Sequence, residues 1–170
     1  MNLAKCIRDI PDFPKKGIIF KDITTLLNNK AALNQTINDM AKLVKGKKID
    51  YIIAAESRGF IFGMPLAYKL KAGFVPVRKP GKLPSKTYKA TYALEYGADS
   101  LFIHQDAIKP GSSVLIVDDL LATGGTAKAM VELTKKCKGK IAAIAFLIEL
   151  TFLNGRKNLK GLPVYSLIKY

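Results

Sequence analysis

Asp118 and Asp119 stand at the end of an unbroken aliphatic run, Val114-Leu115-Ile116-Val117, and a loop of small residues, Ala122-Thr123-Gly124-Gly125-Thr126, follows them closely. Ionised carboxylates accept hydrogen bonds from hydroxyls and attract divalent cations, but they repel a bare phosphate. The loop has the opposite preference, because its glycines let successive backbone N–H groups crowd around one point. A ligand that suits both neighbours combines phosphate with hydroxyls or a cation, and a sugar phosphate with a cis-diol is such a ligand. The plain alternative is a solvated Asp-Asp turn ahead of a glycine-capped helix. No Gly-Lys-Ser/Thr follows at the required spacing, so the loop is not a Walker A sequence.

A second strand-to-helix loop, Glu56-Ser57-Arg58-Gly59, follows the buried run Tyr51 to Ala55. Arg58 offers fork-shaped donors to phosphate oxygens, with a charged turn as the alternative. Lys79-Pro80-Gly81-Lys82-Leu83-Pro84 is basic and fits no regular element. His104 is the lone histidine and has no Ser or Cys motif around it, so a structural role is expected.

The elements that must hold these groups are legible from periodicity. Tyr51 to Ala55, Val114 to Val117, Ile141 to Ile148 and Val164 to Ile168 read as buried strands, with Phe74 to Arg78 as a shorter one containing Pro76. Ala127, Met130, Leu133 and Cys137 lie three, three and four apart, which predicts a helix after the glycine loop. Leu33, Ile37, Met40 and Val44 predict another, closed by Gly46. Phe60 to Lys71 reads as helix with Pro65 inside it, and Leu3, Ile7 and Ile10 as a short helix ended by Pro11. Tyr88, Ala90, Tyr92, Leu94 and Tyr96 alternate with polar or small residues and predict a strand, with Leu101 and Ile103 continuing the theme. Strands alternating with helices give an α/β class: one domain with a mostly parallel, doubly wound sheet flanked by helices.

At 170 residues and 49% hydrophobic the chain is long enough for a real core and is no disordered tail. It contains no apolar run long enough to span a bilayer, and its first residues lack a signal-peptide segment. Cys6 and Cys137 show no metal or redox spacing, which fits reduced thiols and a cytoplasmic location. The net charge of +15 favours anionic ligands, and by itself would serve nucleic acid or membrane equally well.

The thirteen residues from Val114 to Thr126 resemble, without a gap, the phosphoribosyl-diphosphate (PRPP) signature of the type I phosphoribosyltransferases. The resemblance implies that Asp118 and Asp119 face the ribose hydroxyls and that Ala122, Thr123, Gly124, Gly125 and Thr126 hold the 5′-phosphate. Three more stretches are similar to the adenine phosphoribosyltransferases within that family. The first is Glu56-Ser57-Arg58-Gly59-Phe60, where the resemblance implies a diphosphate loop with a non-proline cis peptide between Glu56 and Ser57. The second runs from Arg78 and Lys79 through Lys82 into Ala93-Leu94-Glu95-Tyr96-Gly97. It implies a mobile lid over 79–96 whose cations screen diphosphate, with Glu95 managing a proton near N7 of the base and Tyr96 beside it. Water would capture the sugar cation such a reaction forms, which is why a lid is needed.

The third stretch, from Pro11 to Ile23, implies a small base-recognition segment within residues 1–30. There Phe20 stacks on adenine while backbone groups of Ile19 and Lys21 pair with its edge, and Leu150 closes the pocket. Lys21 stands where the family often has Arg. Mg²⁺ is the implied cofactor, carried by PRPP rather than held by direct protein ligands, with Asp118 and Asp119 in reach through water. The implied reaction converts adenine and PRPP to AMP and diphosphate in a homodimer, with no specific nucleic acid and no membrane as partner. Two alternatives stay open at this point: a phosphoribosyltransferase for another purine, and a PRPP-sensing regulatory protein supported by the charge.

Overall fold

The computed structural model describes residues 1–93 and 98–170. Its contacts divide the chain into two compact units, Met1–Asp39 and Met40–Tyr170.

In the first unit a 3-10 turn, Leu3–Cys6, precedes strand β1 (Arg8–Pro11), which pairs antiparallel with β2 (Ile19–Asp22). This corrects the expected helix through Ile10. The register sets Arg8 opposite Asp22 and Asp9 opposite Lys21, and both become ion pairs, at 2.6 and 2.7 Å. Opposite charges facing across a hairpin, together with Ile10 against Phe20, favour the strand over one turn of helix. A five-residue helix α1 (Thr24–Asn28) follows, and α2 (Lys30–Leu43) begins in this unit and ends in the next.

The second unit is built on a five-stranded parallel sheet. In chain order come β3 (Tyr51–Ala55), helix α3 (Arg58–Leu70), β4 (Gly73–Val77), β5 (Thr87–Ala93), β6 (Ala98–His104), β7 (Ser113–Leu121), helix α4 (Gly125–Lys136), β8 (Lys140–Glu149) and β9 (Val164–Lys169). The sheet order is β4-β3-β7-β8-β9, every pair parallel. The aliphatic runs occupy its centre because those strands are covered on both faces. Pro76 is tolerated because β4 is an edge with a ladder on one side. Strands β5 and β6 form a separate antiparallel hairpin.

Ile53, Ala55, Val77 and Ile116 share one core with Met130 and Leu133 of α4 and with Leu101 and Ile103 of β6. All four residues of the expected α4 stripe, Ala127, Met130, Leu133 and Cys137, are buried. Against the other face lies α3, where a Cβ on Gly63 would come within 3.0 Å of Ala54 Cβ and 2.8 Å of the Phe74 ring. Among the described residues no helix is long and apolar enough to cross a membrane.

Candidate active site

Strands β3 and β7 are parallel neighbours, so the chain leaves both at the same sheet edge. In an open parallel sheet that edge is where ligands bind. The Glu56–Arg58 turn and the Ala122–Thr126 loop therefore meet there. A cleft of about 360 Å³ is lined by Glu56, Ser57, Arg58, Lys79, Asp118, Asp119 and Thr126, together with Tyr92 and Leu101.

Asp118 and Asp119 do not follow the strand, as the sequence suggests, but lie inside it. β7 runs on to Leu121 because β8 supplies partners that far, with Leu120 beside Ile148 and Leu121 beside Glu149. Extended geometry sends successive side chains to opposite faces, so the two acids have different neighbours. Asp119 is buried and its Oδ2 lies 2.8 Å from Arg58 Nε, at the start of α3. Burial pushes its carboxyl up, and the Arg58 charge opposes that rise. Asp118 is pushed well above the ordinary carboxylate range, first by burial and then by the neighbouring Asp119 charge. The pair thus holds a proton more readily than two exposed carboxylates, with Arg58 favouring the charged form of Asp119.

The loop after β7 is shaped by Gly124, whose φ of +86° belongs to the left-handed region. Helix α4 starts at the next residue, so the N–H groups of its first turn open onto the loop. A pocket of about 70 Å³ sits within the curve from Asp118 to Ala127. Macrodipole and free amides together make it a seat for an anion.

The Glu56–Ser57 peptide is cis. Glu56 Oε1 accepts from Arg78 Nε at 3.0 Å and from the Lys79 N–H at 2.6 Å. Burial raises the Glu56 carboxyl, but those two donors, with Arg78 and Lys82 charge, leave it below its ordinary value. Lys79 Nζ is ion-paired with Asp99, which also accepts from the Tyr92 hydroxyl at 3.2 Å. The Lys79 bond keeps Asp99 ionised more readily than usual. Asp99 and Tyr92 of the hairpin are thus site neighbours the sequence reading missed; Tyr92 was legible only as a strand residue.

Leu150 follows β8 directly, half-buried, its N–H donating to the Leu121 carbonyl at 2.9 Å. Ile19, Phe20 and Lys21 form most of β2 in the amino-terminal unit, where Phe20 meets the Phe13 ring edge to face at 5.2 Å. Glu95 and Tyr96 lie outside the described residues. Among the described residues no cluster of three or more His, Cys, Asp or Glu could cage a metal.

An acid pair on a central strand, a glycine loop opening a helix and a second anion loop beside it are the parts of a sugar-phosphate transferase. The model of the phosphoribosyl transferase domain matches residues 22–166. Over all 170 residues the chain is 58% identical to the adenine phosphoribosyltransferase of Brachyspira hyodysenteriae, covering 100% of both. A crystal structure of the Thermoanaerobacter pseudethanolicus enzyme of that name superposes with a TM-score of 0.96 at 57% identity, covering 99% of this chain and 98% of the other. The Saccharomyces cerevisiae enzyme, solved with an imino-altritol bisphosphate and adenine, gives 0.91 at 43% identity, with 96% and 95% covered. The chain belongs to the adenine phosphoribosyltransferase family.

Proposed function

We infer that the protein transfers the 5-phosphoribosyl group of PRPP to adenine, releasing AMP and diphosphate. One observation supports this most: the acid pair and the Glu56–Arg58 turn line one cleft with Thr126, and the glycine loop curves around an adjoining pocket that shares Asp118 and Thr126 with it. Full-length likeness to relatives named adenine phosphoribosyltransferase favours adenine over other purines.

Asp118 and Asp119 accept the ribose hydroxyls, and Ala122, Thr123, Gly124, Gly125 and Thr126 receive the 5′-phosphate through backbone N–H groups. Ser57, Arg58, Arg78, Lys79 and Lys82 attend the diphosphate, with Glu56 orienting Arg78 and the Lys79 backbone. Carboxylates alone give a poor cage, yet two acids beside a phosphate site fit Mg²⁺, which keeps water and binds through few protein oxygens. When bound with PRPP, Mg²⁺ neutralises charge on the departing diphosphate. Cleavage leaves positive charge on the ribose C1′, and the diphosphate oxygens, with the Asp119 carboxylate whose charged form Arg58 favours, stabilise it. Adenine N9 attacks C1′ while Glu95 manages the proton at the base. Residues 79–96 act as the lid that excludes water, and the stretch at Ile19, Phe20 and Lys21 reads the base. The whole chain works as one domain, as a homodimer in the cytoplasm.

The test is a spectrophotometric assay with PRPP, Mg²⁺ and each of adenine, hypoxanthine and guanine. Efficient conversion of adenine alone is expected. Comparable kcat/KM for adenine and hypoxanthine would overturn the base assignment.

A further inference from the structure

Between β8 and β9 the chain folds into two 3-10 turns, Thr151–Leu153 and Gly155–Leu159, which periodicity does not announce. The second turn packs directly on the glycine loop. A Cβ on Gly155 would lie 2.2 Å from the Ala122 carbonyl oxygen, and one on Gly124 would lie 2.5 Å from the Gly155 oxygen. These are backbone-to-backbone approaches that only glycine at both positions permits. Asn158 Nδ2 donates to the Thr123 carbonyl at 2.7 Å.

The turn is itself anchored. Leu159 is buried in the core shared with α4. Arg156 grips Glu149 with two bonds, of 2.6 and 2.7 Å, and donates to the Val164 carbonyl at 2.9 Å. Ser166 Oγ adds a bond of 2.5 Å to the same carboxylate.

We propose that the Gly155–Leu159 turn is a positioning element for the phosphate loop, with Asn158 as its hydrogen-bonding strut. The geometric reason lies in the peptide unit. Both loop peptides, Ala122–Thr123 and Thr123–Gly124, are trans, so each N–H points opposite to its carbonyl. Holding the Ala122 and Thr123 carbonyls on the Gly155–Asn158 side therefore turns the Thr123 and Gly124 N–H groups to the other side of the loop. Those amides are then fixed before the ligand arrives, and the ordering cost of a glycine loop is met by the fold. Glu149 and Arg156 act one step further out, fixing where the turn sits.

The inference rests on the reading of the loop as the 5′-phosphate seat, and its test separates the two. Asn158 is exposed, so Asn158→Ala should fold with a melting temperature close to that of the parent. Ribose 5-phosphate and diphosphate are used as inhibitors of both proteins, and KM for PRPP and for adenine is measured alongside kcat. The expected result is an inhibition constant for ribose 5-phosphate raised about 3- to 10-fold, the worth of one neutral hydrogen bond, with diphosphate inhibition unchanged. KM for PRPP should rise with it while kcat and KM for adenine hold. An unchanged ribose 5-phosphate constant, or an equal rise for diphosphate, overturns the positioning role. A parent protein that ribose 5-phosphate does not inhibit overturns the reading of the loop, and the inference with it.

Discussion

Gly59→Ala tests whether the cleft is organised around the Asp118 carboxylate. Gly59 is the second residue of α3. A Cβ there would lie 3.0 Å from Asp118 Oδ1, 3.3 Å from Ala54 Cβ and 3.4 Å from the Val117 carbonyl oxygen. Two effects oppose each other. Alanine favours a helix over glycine by about 1 kcal/mol, somewhat less in the first turn. Against that, the contact with Asp118 is tighter than ordinary packing tolerates. Two atoms are crowded: the Asp118 carboxylate oxygen, which can yield by a few tenths of an ångström, and Ala54 Cβ, which moves only with its strand but needs to give about 0.1 Å; the backbone contact at 3.4 Å is ordinary. Folding free energy should consequently change by less than about 1 kcal/mol.

Binding has no such compensation. A hydrogen bond to the Asp118 carboxyl contributes about 0.5–3 kcal/mol, from the neutral to the charge-assisted case, and a displaced acceptor keeps only part of it. A loss of about 1–2 kcal/mol corresponds to a 5- to 30-fold fall in kcat/KM for PRPP. The assay is PRPP titration at saturating adenine, with thermal unfolding in parallel. A parent-like kcat/KM for PRPP in a folded variant would refute the role of Asp118. A fall in melting temperature of many degrees would show that the backbone moved instead of the carboxylate.

Asp119→Asn should lower kcat/KM for PRPP at least about 10-fold, because it removes an ionised acceptor and leaves Arg58 without that buried counter-charge; normal PRPP affinity by calorimetry would contradict this. Glu95→Gln should lower turnover by about 10²–10⁴-fold, the range of general acid–base catalysis, with unchanged melting temperature; parent-like turnover would make Glu95 a bystander. The Glu149 carboxyl lies at about 2, depressed from its ordinary 4.5 by the Arg156 bonds against the opposing effect of burial. Its folded value is the lower one, so its contribution is whole above about 4.5 and drains away as pH falls toward 2. Melting temperature followed down that window should drop more steeply in the parent than in Glu149→Gln, and identical slopes would remove the clamp from the stability account.

Much of the parallel sheet is legible because its signals are local. Tyr51–Ala55 was readable to the residue, since a run buried on both faces is bounded by Asp50 and Glu56. The glycine loop and the stripe of α4 were readable for the same reason. What escaped was set by distant partners. β7 continues through Asp118 and Asp119 because β8 is long enough to pair with it, a fact absent from residues 114–126 themselves. Leu3, Ile7 and Ile10 carry helical spacing, yet Arg8 and Asp9 have complementary charges fourteen and twelve residues away on β2. The Gly155–Leu159 turn had one local signal, the Asn154-Gly155 pair, which marks a turn but says nothing about the loop it touches. Asp99 likewise became a site neighbour only through the pairing of β5 with β6.

The charge of the molecule and the charge of its cleft do different work. The chain carries +15 overall, yet the cations nearest the cleft are matched: Arg58 by Asp119, Arg78 by Glu56 and Lys79 by Asp99. Surplus lysine acts at long range, drawing any polyanion toward the surface, and salt screens it beyond about 10 Å. Matched pairs act at contact, where they favour ligands of mixed chemistry. On the proposed assignment, inorganic diphosphate by itself finds Arg58, Arg78, Lys79 and Lys82 but also meets the Asp118–Asp119 pair and brings it no hydroxyl. PRPP brings both, its phosphates to the cations and amides and its cis-diol to the carboxylates. Asp119 is central to that distinction, because the ion pair that orients Arg58 also favours the ionised form that a ribose hydroxyl needs as acceptor. Selectivity for a sugar phosphate over a simple phosphate would then reside in the acids, and affinity in the loop amides and cations.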